Sequence, residues 1–168
     1  MMIKLKFKEA NHLVKSVNEY RSIGGLPVNL VLDKPISESY TFETIYITGN
    51  EFFIEIRFNA ETKLFNQIAF VCIGRSSEDK SLFQVKFCKE QIFDCYLDYA
   101  VQEEGEMITD VSLVKSENNL IFKINDYDKT EIYFVAENVV FRVNQDNYLC
   151  EIIVLDQKEL LDIVSLAH

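Results

Sequence analysis

Histidine is nearly absent from this chain, which has two in 168 residues, His12 and His168. A hydrolytic triad uses His to take the nucleophile's proton, so that class of site has almost nothing to work with. The four cysteines, Cys72, Cys88, Cys95 and Cys150, are scattered without a C-x-x-C pair, which argues against a zinc site. Each lies in an apolar, strand-like run where Cys behaves as a small hydrophobe, so buried reduced thiols are expected, with no metal and no cofactor. The two prolines, Pro27 and Pro35, flank one strand-like segment, and no Pro-rich, Gly-rich or low-complexity linker divides the chain. A single domain over residues 1–168 is therefore expected. No uncharged apolar run approaches the roughly 18 residues that cross a bilayer. The start, Met1 to Lys8, sets Lys4, Lys6 and Lys8 at every second position where a signal peptide needs its apolar stretch, so it reads as a strand and the protein as cytoplasmic. Glycine is also sparse. Gly24-Gly25 leads into Leu26-Pro27-Val28, a strand-like run rather than the helix that a phosphate-cradling loop would enter.

What the chain has is alternation. With 48% hydrophobic and 26% charged residues it is too apolar for disorder. From Glu51 to Phe58, the residues Phe52, Ile54, Ile56 and Phe58 share one face while Glu51, Glu55 and Arg57 share the other, the mark of an antiparallel strand with one wet side. Thr48-Gly49-Asn50 before it suits a hairpin from the segment Tyr40 to Ile47. Further strands are expected at Leu64–Ile73, Leu82–Cys88, Ile92–Val101, Ile108–Val114, Leu120–Ile124, Ile132–Val135, Val139–Val143 and Tyr148–Leu155. Ile68 to Ile73 and Ile152 to Leu155 are apolar on both faces and should lie centrally, covered by a helix or a second layer. Ala10, Leu13, Val14, Val17 and Tyr20 recur at helical spacing before Gly24-Gly25. Asp156 with Glu159 can cap a second helix carrying Leu160, Ile163, Val164 and Ala167. The fold class predicted is therefore α+β: a mainly antiparallel sheet, a meander of hairpins, two-layered or strongly curved, with one helix near each terminus.

Three strands end alike, Ile56-Arg57-Phe58-Asn59, Ile121-Phe122-Lys123-Ile124-Asn125 and Val140-Phe141-Arg142-Val143-Asn144. Asn tolerates left-handed turn geometry, so these read as hairpin strands meeting turns. Asn125 to Glu131 has oxygen ligands at alternate positions, yet it lacks the turn Gly and spacing of an EF-hand and reads as a solvated turn.

Charge is unevenly placed. Residues 1–34 carry six basic side chains against three acidic ones, a net of +3 that leaves −13 on the remainder of this −10 chain. Between Glu90 and Val114 there are seven carboxylates, Glu90, Asp94, Asp98, Glu103, Glu104, Glu106 and Asp110, and no Lys or Arg. Such a surface repels a phosphate backbone and attracts a basic partner. Within it, Phe93, Cys95, Leu97, Tyr99 and Val101 share one strand face, and Asp94, Tyr96 and Asp98 the other. Two carboxylates flanking a Tyr beside the tip Glu103-Glu104-Gly105-Glu106 make Asp94, Tyr96, Asp98, Glu103, Glu104, Glu106 and Asp110 the candidate partner-binding residues.

The run from Phe53 to Val71, FIEIRFNAETKLFNQIAFV, is a charged strand, a short turn and an apolar strand. In style it is similar to hairpins of the immunity proteins of bacterial polymorphic toxin systems, including contact-dependent growth inhibition, which this small, acidic, β-rich chain resembles as a class. The resemblance implies a non-enzymatic role: binding a cognate, basic, nuclease-type toxin domain and blocking its active site, in some members by strand pairing, without direct contact to nucleic acid or membrane. Two other readings compete. One is a β-rich module whose many Phe and Tyr residues line a small-ligand pocket; the other is a hydrolase with a carboxylate-based site.

Overall fold

The structure, a computed structural model, describes residues 2–10, 16–20, 28–32, 41–49, 51–73, 76–78, 91–101 and 110–155. Within them the chain forms thirteen strands: β1 (Met2–Glu9), β2 (Ser16–Tyr20), β3 (Val28–Leu32), β4 (Phe42–Gly49), β5 (Phe52–Asn59), β6 (Phe65–Cys72), β7 (Ser76–Glu78), β8 (Phe93–Val101), β9 (Ser112–Ser116), β10 (Asn119–Lys123), β11 (Thr130–Ala136), β12 (Val139–Asn144) and β13 (Leu149–Val154). The described residues contain no helix, so the α+β expectation is corrected to all-β over the described residues.

The N-terminal helix fails for a definite reason. Val17 and Tyr20 fit a helical stripe, but Ser16–Tyr20 pairs antiparallel with Val28–Leu32, Val17 opposite Val31 and Tyr20 opposite Val28. Gly24-Gly25 thus falls between two paired strands rather than after a helix, and long-range pairing overrides a short local period. The helix expected from Asp156 and the strand expected at Leu82–Cys88 lie outside the described residues.

Two large sheets face one another. One has the order β2-β3-β6-β5-β4, the other β11-β12-β13-β10-β9-β7, and every pairing is antiparallel except β7 with β9. The doubly apolar strands β6 and β13 are interior in their sheets, as their composition predicts. On β5 the side chains Phe52, Ile54, Ile56 and Phe58 are all buried while Phe53, Glu55 and Arg57 are half-buried. Phenylalanines lock the layers together. Phe65 of the five-stranded sheet meets Phe141 of the other edge-on at 5.0 Å, and Phe70 stacks on Phe122 at 4.6 Å.

A two-stranded ribbon of β1 and β8 joins both sheets. Lys4 bridges Tyr148 beside β13 and Ile92 bridges Phe134 of β11, while Tyr96 bridges Leu64 and the Leu97 N–H donates to the Lys63 carbonyl at 2.9 Å. Its inward residues Ile3, Leu5, Cys95 and Leu97 belong to the same hydrophobic core as the sheets.

Turns are closed by side chains as well as by backbone. Asn59 Oδ1 accepts from the Glu61 and Thr62 N–H groups, and Asn144 Oδ1 from those of Asp146 and Tyr148. Among the described non-glycine residues the left-handed positions are Glu51, Lys63, Glu117 and Asn147. The strand-ending Asn59 and Asn144 therefore serve as acceptors for turn amides rather than as left-handed residues.

Candidate functional site

The sequence places its candidate site on the acidic segment, and the structure divides that segment. Asp94, Tyr96 and Asp98 lie on β8, whose partner β1 is the basic N-terminal strand. Lys8 is opposite Asp94, Lys6 is opposite Tyr96, and Lys6 Nζ reaches Asp98 Oδ1 at 2.7 Å. Carboxylates uncompensated along the chain are faced by ammonium groups across the ribbon. The Tyr96 hydroxyl is held above its ordinary pKa, by burial first and by the neighbouring Asp94 charge second.

The register of the ribbon shifts at Asp98. Lys4 pairs with Tyr99 and Leu5 with Leu97, leaving Asp98 as the extra residue. Such a bulge re-aims the side chains beyond it. Cys95 and Leu97 keep to the core, but Tyr99, expected beside them, is 41% exposed. Its hydroxyl bonds that of Tyr148, and Lys4 Nζ lies 6.0 Å from the Tyr99 ring centre and 5.4 Å from that of Tyr148. The bond to Tyr148 is the main cause of the raised Tyr99 pKa.

Asp110 stands apart from β8. It lines a groove of about 350 Å³ with Ser112, Lys123, Ile124, Asn125 and Asp126. The connection from β10 to β11, residues 124–129, contributes its first half to this groove. Its second half, Tyr127, Asp128 and Lys129, meets the β12–β13 turn at Asn144, Gln145 and Asp146 around a second groove of about 270 Å³. Backbone bonds dock this connection on β13, with the Ile124 and Asn125 N–H groups both donating to the Cys150 carbonyl and Asn125 Nδ2 to that of Leu149. Tyr127, flanked by Asp126 and Asp128, is 42% exposed. Asp110, Asp126, Asp128 and Asp146 are exposed, set against Lys123 and Lys129. Glu103, Glu104 and Glu106 lie outside the described residues.

Sequence reasoning does not single out Tyr127, Asp128 or Asp146. The oxygen-rich turn is legible, and an exposed aromatic between two acids is the signal within it that could have marked Tyr127. The approach of the 144–146 turn has no counterpart in the local sequence.

The described residues contain no group of three His, Cys, Asp or Glu side chains able to hold a metal. Cys95 and Cys150 are buried, and burial pushes the Cys150 thiol up to about 11. Five of the aromatic rings, Phe58, Phe65, Phe70, Phe122 and Phe141, are the largest fully buried side chains and are committed to packing. Both grooves are lined mainly by polar and charged residues. The chain matches no known protein-family model, and no curated protein is similar to it in sequence.

Proposed function

We propose that this chain is a protein-binding domain whose partner is basic, and that its role is that of an immunity protein neutralising a cognate nuclease-type toxin domain. The observation that carries the reading is Tyr127, exposed between Asp126 and Asp128, with Asp110 lining the groove on one part of its loop and Asp146 the groove on the other. An amphipathic ring in an anionic setting suits recognition of a basic protein: the ring offers contact area and the carboxylates speed encounter. The −13 net charge of residues 35–168 adds the same sign at longer range. The carboxylates of β8 contribute less, because Lys8 stands opposite Asp94 and Lys6 pairs with Asp98.

Co-expression with the product of the neighbouring gene tests this. The chain should rescue growth and copurify with that protein, and Tyr127→Ala combined with Asp126→Asn and Asp128→Asn should weaken binding at least tenfold and flatten its salt dependence. A harmless, unbound neighbour ends the toxin reading. Binding that survives the triple variant with unchanged salt dependence moves the interface elsewhere.

A further inference from the structure

Edge strands invite pairing, and folded proteins blunt them with Lys, Pro, bulges or short length. β7 has three residues, and β11 carries a register shift and is bridged by Ile92. β4 has none of these devices. It is eight residues long, FETIYITG, without Lys, Arg or Pro, and it pairs with β5 over eight consecutive positions without irregularity. Among the described residues β5 is its sole neighbour. Two of its side chains, Phe42 at 40% and Tyr46 at 42%, are among the most exposed large hydrophobics of the described chain.

The direction of the Phe42, Thr44 and Tyr46 amides is fixed by the pairing. Ala60 N–H donates to the Thr41 carbonyl, and β4 and β5 run in strict register from Gly49 opposite Phe52 to Phe42 opposite Asn59. Antiparallel ladders alternate, so the odd residues of β4 bond β5, while Phe42, Thr44 and Tyr46 turn N–H and C=O away from β5.

We infer that β4 is a self-association edge, taking the β4 strand of a second copy of this chain antiparallel about a two-fold axis at Thr44. In that register Thr44 faces Thr44 of the second copy, and each Phe42 faces Tyr46 of the other. The outward amides of Phe42, Thr44 and Tyr46 are satisfied, and both exposed aromatics gain an aromatic cross-strand partner. On the opposite face Glu43 falls opposite Ile45 of the second copy, and its charge is already matched by the Lys63 ammonium of its own chain. The register thus sets no unmatched like charges against each other. A second copy is favoured over a foreign strand because the spacing Phe42-x-Thr44-x-Tyr46 is self-complementary. The inference is independent of the toxin reading, since it concerns oligomeric state without partner.

The full chain should sediment as a dimer at micromolar concentration. Thr44→Lys sets two ammonium groups against each other at the axis and should raise the dimer dissociation constant at least tenfold, with the thermal midpoint of a dilute sample unchanged. Thr44→Cys should crosslink two copies under mild oxidation, since facing Cα atoms in a hydrogen-bonded pair lie about 5.5 Å apart. Phe42→Cys should not exceed the wild-type background, because its two copies sit about 14 Å apart along the strands. A monomer at every concentration overturns the inference. So does a dimer unaffected by Thr44→Lys, or one in which Phe42→Cys crosslinks and Thr44→Cys does not. A monomer whose binding to another protein is abolished by Thr44→Lys overturns self-pairing in favour of a foreign strand.

Discussion

Lys6 Nζ and Asp98 Oδ1 stand 2.7 Å apart across the β1–β8 ribbon, joining the basic start of the chain to its most acidic stretch. The pairing gives the +3 of residues 1–34 a purpose in the fold, since Lys4, Lys6 and Lys8 lie on the strand that receives β8. Opposite charges on neighbouring strands favour this register over a slip that would bury a Lys.

The Lys6–Asp98 pair should nonetheless contribute little to stability. Its Lys side chain is 66% exposed, and exposed pairs are worth about 0–1 kcal/mol. Asp98→Asn should therefore shift the urea midpoint only slightly, and less still at high salt. A loss well above 1 kcal/mol would show that the ribbon depends on this contact.

Phe122 is a different case. It is fully buried and stacks on Phe70 across the two layers. Truncating it removes both the transfer free energy and the seam contact, so Phe122→Ala should cost about 3–5 kcal/mol in chemical denaturation. Tyr127→Ala, at an exposed loop, should change stability by no more than about 0.5 kcal/mol. Equal losses from the two variants would contradict the assignment of core and surface.

Much of the core was legible because one-sided strands announce themselves: Phe52, Ile54, Ile56 and Phe58 alternate with polar or half-buried neighbours and are buried. Doubly apolar β6 and β13 likewise lie inside their sheets. The hairpin from β4 to β5 was legible from its short turn, but long-range pairing was not, because it depends on residues far apart in sequence. That is why Lys6 and Asp98 looked unrelated, and why Ser16–Tyr20 looks helical until its partner Val28–Leu32 is considered. Tyr99 was lost to a single bulge, which carries no local signal in Leu97-Asp98-Tyr99. Of the candidate site, the sign of the charge was readable, while the meeting of the 124–129 and 144–146 loops was not.

Cys150 makes stability sensitive to alkali. Burial raises its thiol from the ordinary value of 9.0 to about 11, with Glu151 adding to the effect. Between these values the unfolded chain releases the proton and the folded chain keeps it. The folded state then binds more protons, so unfolding free energy falls as pH rises through that window. Wild type should lose stability from pH 9 toward 11 more steeply than Cys150→Ala, when unfolding is followed by denaturant at each pH. Parallel curves would show that Cys150 titrates alike in both states.

Arg142 and Glu151 form the most sheltered of the described ion pairs. Arg142 Nη1 lies 2.9 Å from Glu151 Oε2, with the side chains 21% and 12% exposed. The two residues are cross-strand partners on β12 and β13, one step from the fully buried pair of Phe141 and Ile152. A carboxylate in this position is tolerable because the guanidinium compensates its desolvation. Arg142→Ala leaves Glu151 with little water and only Lys123, its cross-strand partner on β10, as a neighbouring cation, and should cost about 3 kcal/mol, the low end of the range for breaking a buried pair. Replacing both partners, as Arg142→Met with Glu151→Leu, removes the desolvation cost together with the attraction. The double variant should therefore recover most of the loss, and a double-mutant cycle would read this as strong coupling between the sites. If Arg142→Ala costs less than about 1 kcal/mol, water reaches Glu151 and the pair behaves as a surface contact. If instead the double variant is as unstable as the single, the two side chains hold β12 to β13 by geometry that apolar packing does not replace.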